Sequence, residues 1–148
     1  MTSKSLYFED VNLGDEIPSL EKAVTTVNMV MYQAATWDFH RYHYDTEFVQ
    51  SQGFPKPFLD GQMMGGFLAQ LVMDWMGIDG TLKKLGFRFT SFVYPGDTLT
   101  CKGRVSSKEE VEGQYLVDCE LWIENQNGER VLDQGRGLVA LPVGSGSR

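Results

Sequence analysis

Between residues 61 and 76 apolar side chains recur at Met63, Met64, Phe67, Leu68, Leu71, Val72, Trp75 and Met76, the three-and-four spacing of a helix. Gly77 ends the run, and Asp60 stands where an N-cap belongs, able to accept from otherwise unsatisfied amides. The remaining face holds Gly65, Gly66, Ala69 and Met73 with few charges. The pattern therefore predicts a helix buried nearly all round, with small residues admitting close neighbours. A shorter apolar run at Met29, Val30, Tyr32, Ala34 and Trp37 predicts a second helix over 28–37. Gly53, Pro55 and Pro57 break the chain between Gln52 and Phe58.

After the long helix the period falls from 3.6 to 2. Leu85, Phe87 and Phe89 alternate with Lys84, Gly86 and Arg88, so Arg88 points away from the face the phenylalanines cover. Val93, Tyr94, Pro95, Gly96 and Asp97 mark a turn, and strands are predicted over 98–105, 114–124 and 130–141. Asn127-Gly128 between the last two is a hairpin signal. No internal repeat is visible. The expected class is α+β, one antiparallel sheet wrapped around a single long helix. The expected organisation is one domain over 1–143 followed by a disordered tail over 144–148.

Thirteen Lys and Arg against twenty Asp and Glu give a net charge of −7. That sign argues against nucleic acid and anionic lipid as partners. Residues 1–20 have no apolar core and carry Glu9, Asp10, Asp15 and Glu16, so no secretory leader is expected. The stretch 65–77 is interrupted by Gln70 and Asp74 and is too short to cross a membrane. A soluble, cytoplasmic protein is expected. Cys101 and Cys119 fall in alternating apolar patterns and read as small core residues rather than a disulfide framework or metal site. The methionines of the long helix read as adaptable core packing, with an acyl tunnel as the functional alternative.

Both histidines, His40 and His43, lie in one short segment with Asp38 and Asp45. Histidine suits proton transfer near neutral pH. Asp38 and His43 are five apart, about 140° around a continuous helix, so they converge only if the helix ends near Asp38 and the chain then turns. The bland alternative is a helix-end aspartate and a hydrogen-bonded surface histidine. A metal site from His40, His43 and Asp45 has no supporting ligand motif, and no metal is expected.

Several motifs together resemble a known family. Tyr7-Phe-Glu-Asp-Val-Asn-Leu-Gly-Asp15 is similar to the opening of the MaoC-like enoyl-CoA hydratases and dehydratases, which have the hotdog fold. Asp38-x-x-x-x-His43-x-Asp45 matches the spacing of their hydratase motif. Phe87-Arg-Phe89, Tyr94-Pro-Gly-Asp-Thr-Leu99 and Gly135-x-Gly137-Leu-Val-Ala-Leu-Pro142 extend the likeness to near the C-terminus. Within the family, His40-Arg-x-His43-Tyr-Asp45 resembles hydroxyacyl-thioester dehydratase variants. The run from Thr81 through Leu85-Gly-Phe-Arg88 resembles small subunits of actinobacterial steroid side-chain hydratases. The resemblance implies reversible hydration of trans-2-enoyl-CoA thioesters without a cofactor. Asp38 and His43 would activate water, and the helix N-terminus around Asp60, Gly61 and Gln62 would bind the thioester carbonyl.

Two positions depart from the family pattern. The usual Asn-Pro between the paired residues is His40-Arg41, and the usual His-Gly at the start of the central helix is Asp60-Gly61. An ionised Asp60 aimed at the carbonyl would oppose the developing negative charge, whereas an Asp60 that caps the helix would compete for the same N–H donors. Two rival functions are a hotdog acyl-CoA thioesterase using Asp60 and a subunit of a hetero-oligomeric hydratase. Sheet edges of this kind normally pair, so a homodimer or larger assembly is expected, or a hetero-oligomer with a second hotdog chain.

Overall fold

The structure, a computed structural model, describes residues 5–144. The expected tail lies outside the described residues except for Gly144, whose N–H donates to the Glu9 carboxylate at 3.2 Å. In chain order the elements are β1 (Glu16–Ala23), α1 (Thr26–Thr36), α2 (Thr46–Ser51), α3 (Gly61–Met76), β2 (Thr81–Phe89), β3 (Thr98–Val111), β4 (Gln114–Glu124) and β5 (Arg130–Ala140). The strands form one sheet in the order β1-β3-β4-β5-β2, every neighbouring pair antiparallel. This is the α+β hotdog arrangement, with α3 lying in the curve of the sheet.

Met63, Met64, Leu68, Leu71, Val72 and Met76 of α3 are buried against the inward residues of β3, β4 and β5, among them Leu99, Val117, Leu121 and Val139. Cys101 and Cys119 sit fully buried in the same core, and burial pushes both thiols up to about 12. The helix is not enclosed on every side, however. Gln62, Gly66, Gln70 and Met73 form an exposed stripe, with Met73 54% exposed. One five-stranded sheet covers one side of a helix, and the stripe faces away from it.

Strand β1 was not foreseen. Its eight residues bury only Ile17 fully and its register slips between Ile17 and Leu20, so the alternation that marks a strand is broken. Strand β3 runs six residues past its expected end. Its outer part is polar, and the hairpin closes at Glu112 and Gly113, both at positive φ (51° and 76°), as a two-residue turn of this twist requires. Lys108 on this extension donates to the Phe8 and Val11 carbonyls, each at 2.7 Å, and ties down the N-terminal segment. No helix among the described residues is long and apolar enough to cross a membrane.

Candidate active site

The segment carrying the candidate proton-transfer pair is shaped by capping. Thr25 and Asn28 cap the start of α1 reciprocally, at 3.1 and 2.9 Å. The helix stops at Thr36, and Trp37 comes next in the left-handed region at φ 59°. Asp38 stands beyond it on an exposed strip of chain. His40 then caps a 3-10 turn over Arg41–His43, its Nδ1 accepting from the Tyr42 N–H at 3.4 Å. The helix therefore ends, and the chain turns, between Asp38 and His43. Asp45 is engaged elsewhere. It caps α2 by accepting the Phe48 N–H at 3.0 Å and pairs with Arg41 at 2.8 Å. These two contacts, the Phe48 N–H foremost, hold its carboxyl below the usual range.

His43 is oriented by the main chain. Its Nδ1 lies 2.8 Å from the Phe58 carbonyl oxygen. A carbonyl only accepts, so Nδ1 carries the proton, and a neutral ring keeps its lone pair on Nε2. The Phe58 ring meets the imidazole edge-on at 5.6 Å and also lines a cavity of about 410 Å³ at the start of α3. Leu59, Gly61, Met64, Phe89 and Phe92 are among its other walls, and no charged side chain among the described residues lines it. Met64 thus combines core packing with cavity lining. His43 itself opens on a separate cavity of about 250 Å³ beside Met29, Val30, Lys56 and Pro95. Phe58 lines the first cavity and through its carbonyl holds the histidine that lines the second.

At the N-terminus of α3, Asp60 is 6% exposed and its Oδ1 accepts from the Gln62 N–H at 2.8 Å. The Met63 N–H donates to the Asp60 carbonyl at 3.1 Å. Of the two amides expected to face a thioester carbonyl, that of Gln62 is taken by the cap, and that of Gly61 is not engaged by it. A Cβ on Gly61 would lie 2.6 Å from Cζ of Phe89, so a side chain there would require the Phe89 ring to move.

Two residues of α1 were not singled out from the sequence, Tyr32 beside the candidate carboxylates and Gln33 buried in the same helix. The Tyr32 hydroxyl is pushed up by burial and by the negative charges of Asp60 and Asp38. The last turns of α1 therefore lie beside both candidate carboxylates. Gln33 is 2% exposed with neither amide atom hydrogen-bonded, and Asp60 Oδ2 is likewise buried without a partner. The available signal was a glutamine inside an otherwise apolar run.

The MaoC like domain family is matched over residues 12–124. The 3-oxo-4,17-pregnadiene-20-carboxyl-CoA hydratase beta subunit of Mycobacterium tuberculosis (strain ATCC 25618 / H37Rv) is 28% identical over 95 residues, covering 64% of this chain and 74% of that protein. Among solved structures, the ChsH1-ChsH2 complex from Mycobacterium tuberculosis superposes with a TM-score of 0.79 at 23% identity, over 88% of this chain and 98% of the other. R-Hydratase PhaJ1 from Pseudomonas aeruginosa, in its unliganded form, gives 0.83 at 19% identity, over 95% and 88%. These two structural likenesses show the shared fold. The family match spans well over half of the 148 residues, and the chain belongs to the MaoC like domain family.

Proposed function

We propose that the protein catalyses the reversible hydration of trans-2-enoyl-CoA thioesters, or equally the dehydration of 3-hydroxyacyl-CoA. The observation that carries this reading is the bond between His43 Nδ1 and the Phe58 carbonyl. It leaves Nε2 as a proton acceptor, anchored to a residue that also walls an apolar cavity at a helix N-terminus. Asp38 and His43 orient a water and remove a proton from it. The water oxygen bonds to the β-carbon, the C=C electrons move toward the thioester, and a proton is delivered to the α-carbon. The enolate oxygen meets the positive end of α3, and the Gly61 N–H is the donor there that the Asp60 cap leaves available.

A steady-state assay with a short and a bulky trans-2-enoyl-CoA tests this, tracking loss of the conjugated chromophore and release of free thiol in parallel. Chromophore loss without thiol release is expected. Asp38→Asn and His43→Ala should each lower kcat by about 10²–10⁴. Thiol release surviving both changes would reassign the protein as a thioesterase. The burial of Asp60 and its bond to the Gln62 N–H weigh against that.

A multi-chain form of the same reading has its own support. Val27, Met31 and Trp37 on and after α1 are 68%, 65% and 84% exposed, large apolar side chains near one another in the chain and open to solvent. One relative is a beta subunit and one structural neighbour is a two-protein complex. Assembly with a second hotdog chain, identical or different, would cover such surface. Activity that appears only on adding a different hotdog chain would identify the hetero-oligomer.

A further inference from the structure

The cavity beside Gly61 has walls of unequal firmness. Leu59, Met64 and Val93 are at most 3% exposed and locked into the core. Phe58 is held through its bond to His43, and its ring packs against Phe92 at 4.8 Å. Phe92 is 54% exposed but is braced by two rings, Phe58 and Phe54, the latter at 5.0 Å, and Phe89 has less support. It is the last residue of β2, a strand at the edge of the sheet, and is 43% exposed. Its ring rests on Gly61, and its only aromatic neighbour among the described residues is Phe87, at 5.4 Å.

Phe89 thus stands over Gly61 at the wall of the cavity. A thioester whose carbonyl sits at Gly61 must send its acyl chain past the ring that covers Gly61. The cavity offers that chain mainly aromatic and aliphatic walls, with Thr90 and Ser91 as the hydroxyl-bearing ones and no cation, so it suits an apolar acyl group and not one ending in a carboxylate. At roughly 30 Å³ for a water-sized group, about 410 Å³ holds on the order of a dozen non-hydrogen atoms, more than a short acyl chain fills.

We propose that Phe89 sets the acyl length this protein accepts, by closing the apolar cavity at the start of α3. The inference rests on the reading of the protein as an acyl-CoA hydratase and adds to it a specificity-determining residue. Enlarging or shrinking one side chain in an apolar pocket typically changes discrimination by about ten- to two-hundred-fold.

The test compares wild type with Phe89→Ala, Phe89→Leu and Phe89→Trp, the leucine variant guarding against loss of folding in the alanine one. Binding of saturated butanoyl-, octanoyl- and dodecanoyl-CoA is measured by calorimetry, and turnover of the matching trans-2-enoyl-CoAs in parallel. The ratio of dodecanoyl to butanoyl affinity should rise about tenfold in the alanine variant, rise less with leucine, and fall about tenfold with tryptophan. Ratios that stay within about twofold across all four proteins overturn the proposal, as does absence of acyl-CoA binding by wild type. Hydration whose length preference ignores Phe89 removes the gate and leaves the hydratase reading standing. Binding that depends on Phe89 without hydration of any substrate does the reverse.

Discussion

The carboxyl of Asp45 shows how much of the candidate segment is fixed by its own short-range contacts. Held down by the Phe48 N–H and by Arg41, it titrates lower in the folded chain than in the unfolded one. The stabilisation it brings is therefore present above the ordinary aspartate value of 3.8 and is lost as the pH falls through the lower folded value. Asp45→Asn should be less stable than wild type at neutral pH, and the gap should close below pH 3.8 when thermal unfolding is measured across the acid range. The helix end and the turn that a pairing of Asp38 with His43 needs were legible from spacing, and Trp37 at positive φ supplies the former. The involvement of Tyr32 and Gln33 was not. For Tyr32 it depends on which charges the fold brings near its hydroxyl, and for Gln33 the one local signal was a polar residue inside an apolar run. The two readings of Asp60 were both open from sequence, and the cap geometry selects the one in which it engages the Gln62 N–H.

Among the elements, α3 was the most legible, since a long apolar repeat with a cap before it and a glycine after it has few other solutions. Its exposed stripe was harder to foresee. Gly66 and Met73 look as apolar as the buried residues, and only the reach of the sheet decides which side goes uncovered. Strand β1 was hidden by its proline and its slipped register. Two glycines now separate packing from propensity. A Cβ on Gly135 would lie 2.4 Å from the Leu121 carbonyl oxygen of the neighbouring strand, where backbone cannot yield. Gly135→Ala should cost about 2 kcal/mol or more. A Cβ on Gly66, inside α3, would meet nothing within 4 Å, and Gly66→Ala should stabilise the dilute chain by about 0.5–1 kcal/mol. Denaturant unfolding of both variants gives these differences directly. A Gly66→Ala protein destabilised only at concentrations where the chain associates would show that another chain seats against the stripe.

For the molecule as a whole, the hotdog fold was readable because one helix and a meander of strands leave a single way to cover the apolar surface. Which surfaces stay bare was not readable, since the exposed apolar residues of α1 and the open stripe of α3 are decided by the reach of the sheet. The core itself is closed, and its two cysteines turn that closure into a measurable property. Cys101 and Cys119 are the only thiols in the chain, on adjacent strands with no accessible surface, and both titrate near 12. Folded protein should take up no thiol reagent over the course of an assay, so liberated CoA is read against an empty background. Denatured protein should take up two equivalents. At reagent concentrations where reaction outpaces reclosing, slow labelling in native buffer should keep pace with the rate at which the sheet parts from its helix. The chain thus carries an internal clock for its own opening, and it needs no added label to be read.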